Sequence, residues 1–372
     1  MDVEGTRSVG GSIGVQEVVV GVDTHLDVHV AVALDQLGRR LGELTLPTTR
    51  RGYEKLLGWA EGMGPLRCVG IEGTSSYGAG LARHLVAAGI CVLEVDRPKR
   101  RQRQRNGKSD PLDAEAAARA VLAGEAVGQP KSQEGRVEMI RALRSARRSA
   151  VKARTQAANQ LKALLVTAPD ELRHGLRGLS TRELVAVTAR FRPPDDLVDI
   201  AAATKFALRS VARRYEALSR EIAELQGQLG RLVAAVAPDL IALPAIGTNH
   251  AATLLVAAGD NPERLKNEAS FASLCGVSPV EASSGKVVRH RLNRGGNREA
   301  NCALHMICVV RMGMDQRTRE YVRRRTAEGK SKSEIMRCLK RYIAREVYHS
   351  LVPAAQGRTG SRARTAVVTR HV

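Results

Sequence analysis

Aromatic residues are scarce in this chain. Phe, Trp and Tyr make up 3% of its 372 residues, and there is a single tryptophan. Proteins that hold many unpaired bases stack them on aromatic side chains. The composition therefore argues against a stacking platform, and any nucleic-acid contact should run through phosphates and duplex shape.

The chain also lacks cysteines at zinc-ligand spacing and long apolar runs. No stretch approaches the roughly 18 apolar residues of a membrane span, and the N-terminus lacks a charged start followed by an apolar core. We expect a cytoplasmic, nucleoid-associated protein without a membrane partner. The cysteines form no CxxC pair and have no histidine at zinc-ligand spacing, so we interpret them as reduced and mostly structural: Cys68, Cys91, Cys275, Cys302, Cys308 and Cys338.

Acidic residues are outnumbered by basic ones. The chain has 59 Lys and Arg against 38 Asp and Glu, a formal charge of +21. Such an excess favours a polyanionic partner over a small metabolite. We expect double-stranded DNA.

The N-terminal third alternates short apolar runs with helical patterns. After a flexible leader at 1–16, the order is β-β-β-α-β-α-β-α, which predicts a mixed-sheet α/β domain of ribonuclease H-like, or RuvC-like, type over 17–128. The predicted strands fall at 17–23, 27–34, 40–47, 67–72 and 90–95, and the predicted helices at 50–62, 77–89 and 110–124.

Beyond Pro130 the composition becomes rich in Ala, Arg, Leu and Gln, which predicts a helical coiled-coil region over 129–236. The seam could pair with a helix near 136–166 in the same chain or with a second copy, and the sequence leaves both open. We expect a homodimer or higher homo-oligomer. Apolar residues alternate steps of four and three at Val211, Tyr215, Leu218, Ile222, Leu225, Leu229, Leu232 and Val236.

The remainder predicts a mainly helical domain at 237–350 and a basic flexible tail at 351–372. The segment LPAIGTNHA resembles a helix-hairpin-helix turn, in which Gly247 and the following helix N-terminus can present N–H groups to a phosphate. A short glycine turn between helices is also a common packing device.

Four acids occupy telling places in this outline. Asp23 and Glu72 end two strands that should be sheet neighbours, and Asp110 and Asp113 open the last helix of the domain. A helix cap at Asp110, with Asp113 near the positive end of the dipole, explains the last pair without function. Convergence of all four instead predicts oxygen ligands for Mg²⁺ or Mn²⁺, because unneutralised carboxylates would repel one another.

Several motifs resemble the DEDD-motif insertion-sequence transposases of insertion sequence family one-hundred-ten, which include the Piv-type DNA invertases. GVDTH, VGIEGTSSYG and KSDPLDA are similar to the four-acid pattern, and LPAIGTNHAATLL, SLCGVSPVEASSGK and HRLNRGGNREANCALH to the C-terminal block, in the same order. The similarity covers roughly 18–128 and 237–315. A serine often found before K-x-G-N is absent here, and Leu26 stands where lysine is frequent.

The resemblance implies a magnesium-dependent RuvC-like domain joined through a coiled coil to a domain with a nucleophilic serine. That serine matches Ser284, with Ser283 as the less favoured choice. From the residues alone, a Ser-Ser-Gly turn contacting phosphate is the favoured interpretation, and the resemblance is what favours a nucleophile. The family recombines its element into target DNA, and a structured RNA from the element can guide it. Because Ser284 belongs to another domain, we expect a composite site assembled across a dimer.

Basic residues flank both motif blocks. A strip without one acid precedes Asp110, and a charge run of this kind is either a solvated linker or a track for a nucleic-acid backbone. The predicted nucleic-acid contacts are Lys99, Arg100, Arg101, Arg103, Arg105 and Lys108 in that strip, and Gly247, Lys286, Arg289, Arg291 and Arg294 farther on.

Two rival interpretations remain open on sequence grounds. An actin-like or sugar-kinase-like ATPase shares this strand order and a strand-end acid, although we find no second Asp-x-Gly-x-Thr phosphate loop. A non-catalytic nucleic-acid-binding relative is the other, although the acids are intact.

Overall fold

The computed structural model of the protein describes residues 17–95, 109–126, 128–285, 287 and 289–352. The predicted leader, the basic strip and nearly all of the predicted tail lie outside these ranges. The chain divides into two compact units: Met1–Gly135 with Gly259–Arg264, and Arg136–Ala258 with Leu265–Val372.

The first unit is built on a mixed sheet. Within the described residues its strand order is β3-β2-β1-β4-β5; β1, β2 and β3 are antiparallel neighbours, and β4 runs parallel to both β1 and β5. The predicted neighbourhood of the first and fourth strands is therefore confirmed. The strands are β1 (Val18–Thr24), β2 (Val28–Leu34), β3 (Arg40–Pro47), β4 (Leu66–Glu72) and β5 (Val92–Val95).

In the part of this unit that the structure describes, three helices connect or follow the strands: α1 (Arg50–Glu61), α2 (Ala79–Ala87) and α3 (Asp110–Leu122). Thr49 caps α1, and its side chain accepts a hydrogen bond from the Gly52 N–H at 3.2 Å. Every predicted strand and helix of this region is present, with ends within two residues of those predicted.

The sheet buries both of its faces. Because side chains alternate along a strand, Val20 and Val22 of β1 pack with Leu56 of α1 and Leu81 of α2 on one face. Val19 packs on the other face with the buried alanines of α3. β1 and β2 are therefore nearly continuous apolar runs, as expected for strands covered on both sides, whereas the edge strand β3 is mostly exposed.

Two paired glycines let α3 lie against the sheet backbone. Gly21 of β1 is the register partner of Gly70 of β4. A Cβ added at Gly21 would lie 2.1 Å from the Ala114 carbonyl oxygen and 2.3 Å from the Ala118 nitrogen, and one at Gly70 would lie 2.6 Å from a methyl group of Val121. Only glycine allows this approach, which fixes the height of α3 over the sheet.

The second unit is mainly helical. Its long helices are joined by short turns, and its two strands form a small antiparallel hairpin. The elements are α4 (Arg136–Val166), α5 (Asp170–Leu176), α6 (Thr181–Thr188), α7 (Ile200–Val236), α8 (Pro238–Ala242), α9 (Thr248–Ala258), α10 (Glu268–Leu274), β6 (Val280–Glu281), β7 (His290–Arg291), α11 (Arg298–Met314), α12 (Gln316–Ala327) and α13 (Lys332–Leu351).

The long helices α4 and α7 pack along one another within one chain. Ile222 and Leu229 of the predicted seam are buried, while Val211 is half-buried. The deepest contacts include Ala212 and Val233, each one residue from a predicted seam position. A straight helix has 3.6 residues per turn, so its buried stripe drifts away from a strict 3.5-residue repeat. Pairing with a second copy stays a prediction.

One hydrophobic core joins the ends of these long helices to the C-terminal helices. It contains Ile140 of α4 and Leu229 of α7 together with Phe271, Leu304 and Val347. The predicted domain limits after residues 128 and 236 remain predictions.

All six cysteines are free thiols. The Sγ atoms of Cys68 and Cys91 lie 2.6 Å apart on neighbouring segments, and burial, followed by its contact with Cys91, raises the pKa of the Cys68 thiol to about 12. Within the described ranges, no helix is both long and apolar enough to cross a lipid bilayer.

Candidate active site

Two of the predicted acids come from adjacent strand ends on the face that α3 covers. Asp23 follows Gly21 at a spacing of two, and Glu72 follows Gly70 in the same way, so both point to the α3 side of the sheet. The Thr24 hydroxyl donates a hydrogen bond to the Glu72 carbonyl oxygen at 2.8 Å. This bond fastens the two strand ends to each other.

The other two acids lie in the first turn of α3. The N-cap is Ser109, and Asp110 is the first helical residue, so the predicted cap at Asp110 is wrong by one residue. Both residues are of the cap-forming type, and the sequence alone does not choose between them. Asp110 and Asp113 remain three apart on one helical face at the positive end of the helix dipole.

A histidine that we did not predict joins the cluster. The His25 Nε2 atom lies 3.2 Å from Asp23 Oδ2 and 3.3 Å from Asp110 Oδ2, and thus links the end of β1 to the start of α3. The His25 N–H donates to the Val28 carbonyl oxygen at 3.1 Å, which fixes the turn between β1 and β2. The signal in the sequence was the Asp-x-His spacing, which places both side chains on one side of an extended segment.

The electrostatics of Asp23 report the convergence. Its side chain is almost buried, and this desolvation raises the pKa of the Asp23 carboxyl above its usual value of 3.8. His25 opposes the shift, and the charges of Glu72, Asp110 and Asp113 raise the pKa further. All four predicted acids therefore interact at this edge of the sheet, and their mutual repulsion favours a bound cation.

The donor set fits a divalent ion. One ligand atom from each of Asp23, His25 and Asp110 lies within 4.8 Å of the others. Glu72 and Asp113 add two carboxylates to the same field. Carboxylate oxygens are the ligands of Mg²⁺ and Mn²⁺, so these residues could hold such an ion.

Ser284 lies in the second unit, at the tip of the hairpin formed by β6 and β7. Its N–H donates to the Val287 carbonyl oxygen, and the Val287 N–H donates back to the Ser284 carbonyl oxygen, both at 3.1 Å. Gly285 adopts φ +57°, as a tight hairpin turn requires. Ser284 is exposed there. Ser283 is also exposed, but its hydroxyl accepts a hydrogen bond from the Arg289 N–H at 3.2 Å.

The segment that leads into β6 is held by the side chain of Asn301. The Asn301 amide donates to the carbonyl oxygens of Cys275 and Gly276, at 2.9 and 3.0 Å, and accepts from Lys340 Nζ at 2.6 Å. A Cβ at Gly296 would lie 2.7 Å from the Gly276 nitrogen. Asn301, which we did not predict, thus holds the turn that precedes β6.

The predicted nucleic-acid contacts divide into described and undescribed residues. Arg289, Arg291 and Arg294 are exposed on and after the hairpin, and exposed Gly247 directly precedes α9. A cavity of about 540 Å³ opens at this turn, lined by residues that include Gln226, Gly247 and Asn249. The predictions that lie outside the described residues are Lys99, Arg100, Arg101, Arg103, Arg105, Lys108 and Lys286.

Comparison with known proteins identifies the family. A DEDD-type IS110 family model described as "Transposase" matches residues 20–168, and a second, described as "Transposase IS116/IS110/IS902 family", matches 238–323. The first match contains all four acids and His25, and the second contains Ser284. The protein is also similar to the "Insertion element IS110 uncharacterized 43.6 kDa protein" of Streptomyces coelicolor, with 31% identity over 130 residues.

That alignment covers 34% of this chain and 32% of the relative. The two family matches together cover more of the chain, and they fall in order on the two motif blocks. The chain therefore belongs to the IS110 family of insertion-element transposases.

Proposed function

We propose that the protein is the transposase of a mobile insertion element, which cuts and rejoins DNA strands by phosphoryl transfer. Four converging carboxylates at one sheet edge carry the proposal. The strand order β3-β2-β1-β4-β5 supports it, because it is the order expected of a ribonuclease H-like, RuvC-like domain. A nucleic-acid substrate inside the cell would also account for the charge of +21.

The acids would hold Mg²⁺ or Mn²⁺. Bound at Asp23, Glu72, Asp110 and Asp113, such ions supply charge stabilisation to the attacking and leaving oxygens of a phosphoryl displacement. The protein itself contributes the placement. Gly21 seats α3, the Thr24 bond aligns the strand ends, and the helix N-terminus favours the negative charge of Asp110.

Ser284 is the proposed nucleophile. Its hydroxyl oxygen attacks a backbone phosphorus, the Oγ–P bond forms, one P–O ester bond breaks, and the serine proton leaves with the released strand or to solvent. Displacement of the serine by another strand end then completes the exchange. The exposed position of Ser284 at the hairpin tip supports it as the nucleophile. Ser283 is less suitable, because its hydroxyl already accepts a hydrogen bond from the Arg289 N–H. The acids and the serine would form one composite site in a dimer of the chain.

Donor and target DNA are the proposed substrates, and a structured RNA encoded by the element is the proposed guide. Arg289, Arg291 and Arg294 would contact backbone phosphates near the serine. Gly247, before the N-terminus of α9, would present N–H groups to a phosphate.

A strand-exchange assay tests the function. The full chain is mixed with donor DNA carrying the flanks of its gene, the RNA transcribed from those flanks, target DNA and Mg²⁺ or Mn²⁺. We expect joined products with the native sequence and a loss of at least about 100-fold with Asp110→Asn, because removal of a charged ligand weakens the metal site.

Glu54→Gln is the matched control. Glu54 is an exposed acid on α1, on the opposite face of the sheet, and it pairs with Arg50. This variant should retain full exchange. Native-like exchange by Asp110→Asn, or no exchange by the native protein under any of these conditions, contradicts the proposal.

Trapping of a covalent protein–DNA adduct tests the serine. The adduct should form with the native protein and with Ser283→Ala, and it should be absent with Ser284→Ala. Both serines are exposed, so neither alanine should unfold the hairpin. An adduct that survives Ser284→Ala removes this residue from the mechanism.

A further inference from the structure

His25 is the one member of the sheet-edge cluster that the four-acid pattern does not contain. Its Nε2 atom lies between a carboxylate oxygen of Asp23 and one of Asp110, at 3.2 and 3.3 Å. The imidazole is about half exposed, so solvent and ions reach it. Its backbone is held by the hydrogen bond to Val28, and the ring position is thus part of the β1–β2 turn.

The histidine changes the chemistry of the donor set. Mg²⁺ prefers oxygen ligands only, whereas imidazole nitrogen suits transition metals, and Mn²⁺ accepts both classes. The three ligand atoms of Asp23, His25 and Asp110 lie within 4.8 Å of one another, close enough to serve a single ion. If His25 only formed hydrogen bonds to Asp23 and Asp110, it would not affect which metal ion the site prefers.

We infer that His25 Nε2 is a metal ligand beside Asp23 and Asp110, and that it makes the site select Mn²⁺ over Mg²⁺. The inference rests on the metal-binding part of the proposed function and not on the DNA chemistry. His25 is therefore a specificity-determining residue of the metal site.

His29 does not compete for this role. It belongs to β2 with its side chain fully buried, and its ring stacks on Tyr53 with 6.0 Å between ring centroids. Val30, the next residue of β2, packs on the α3 side of the sheet. By alternation, His29 faces away from α3 and from the acids.

The test is a metal titration of the full chain, freed of metal with a chelator, with and without a DNA duplex. Mn²⁺ binding is followed by electron paramagnetic resonance, and Mg²⁺ by competition. His25→Ala should weaken Mn²⁺ binding at least about 10-fold and leave Mg²⁺ affinity nearly unchanged. The bound Mn²⁺ of the native protein should show coupling to a nitrogen nucleus, which His25→Ala abolishes.

Two variants serve as controls. His84→Gln removes a histidine of α2, on the other face of the sheet, and should keep both the affinity and the nitrogen coupling. Asp23→Asn should weaken both metals, because it removes an oxygen ligand.

Three results overturn the inference: no nitrogen coupling in the native protein, equal loss of Mg²⁺ and Mn²⁺ affinity in His25→Ala, or no Mn²⁺ binding with or without DNA. Each is separable from failure of the proposed function. If strand exchange depends on Asp110 but bound Mn²⁺ shows no nitrogen coupling, the inference about His25 is wrong and the proposed function stands. If Mn²⁺ binds with nitrogen coupling but no strand exchange occurs, only the proposed function is wrong.

Discussion

At the scale of single residues, the site places a carboxylate where the fold alone would not favour it. Asp23 is the next-to-last residue of β1 and follows an apolar run, and burial together with three nearby acids raises the pKa of its carboxyl. Ionised Asp23 is therefore less favourable in the folded chain than in the unfolded chain. The arrangement is useful for holding a cation and unfavourable without one.

Removing this charge should stabilise the metal-free protein. Below both pKa values the carboxyl is protonated in either state, and it contributes no penalty. As the pH rises through the unfolded value of 3.8 and then the raised folded value, the penalty develops and remains at neutral pH. We expect Asp23→Asn to have a higher thermal midpoint than the native protein at neutral pH in chelator, with the difference vanishing in acid.

Adding Mn²⁺ should reverse that order, because only the native site gains the binding free energy. Scanning calorimetry of both proteins at several pH values measures the effect. A midpoint for Asp23→Asn equal to or below that of the native protein at neutral pH would show that the carboxylate is not strained.

At the scale of elements, the placement of α3 decides the site, since this helix carries two of the acids. Gly21 and Gly70 form the seat, and Ala114, Ala117 and Ala118 are the buried residues that lie on it. Small residues on both partners bring the helix backbone against the sheet. The height of Asp110 and Asp113 over the strand ends then follows from backbone contact.

Gly21→Ala should damage both stability and the site. The new Cβ would lie 2.1 Å from the Ala114 carbonyl oxygen, so α3 must shift. Overpacking of this kind destabilises by about 1–3 kcal/mol or more, and we expect that loss in urea unfolding together with weakened Mn²⁺ binding.

Gly58→Ala is its counterpart on α1. A Cβ at Gly58 meets nothing within 4 Å, so this change should stabilise the helix by about 0.5–1 kcal/mol and leave metal binding intact. If Gly21→Ala behaved like Gly58→Ala, the seat would not control the helix position.

At the scale of the whole molecule, the proposed chemistry is divided between two units. The acids belong to the unit that contains the mixed sheet, and Ser284 belongs to the helical unit. The proposed metal ligands and the proposed nucleophile therefore belong to different units. Under the proposed function, a reaction that needs all of these residues would require both units.

The sequence predicted the sheet unit well for a physical reason. Its strands are short apolar runs bounded by turn residues, and such patterns depend on local chemistry alone. The acids at the ends of β1 and β4 could be placed because strand order follows from those runs. The N-cap predicted at Asp110 was wrong by one residue, since Ser109 and Asp110 compete for the same cap.

What the sequence did not predict depends on contacts between distant segments. His25 joins the acids only because α3 returns to the end of β1. The seating role of Gly21 requires Ala114 to lie against it, and Asn301 acts on Cys275 across a turn and a hairpin. The two-residue strands of that hairpin are too short to leave a periodic pattern.

The close approach of α3 at Gly21 and Gly70 also affects how the site responds to substitutions elsewhere in the sheet unit. Because α3 rests on backbone at Gly21 and Gly70, its position does not depend on the sizes of the side chains on the far face, such as Leu56 and Leu81. A change of apolar side chain at those positions should therefore lower stability through packing while the acids stay in place. The placement of the acids is thereby separated from the packing of the opposite core.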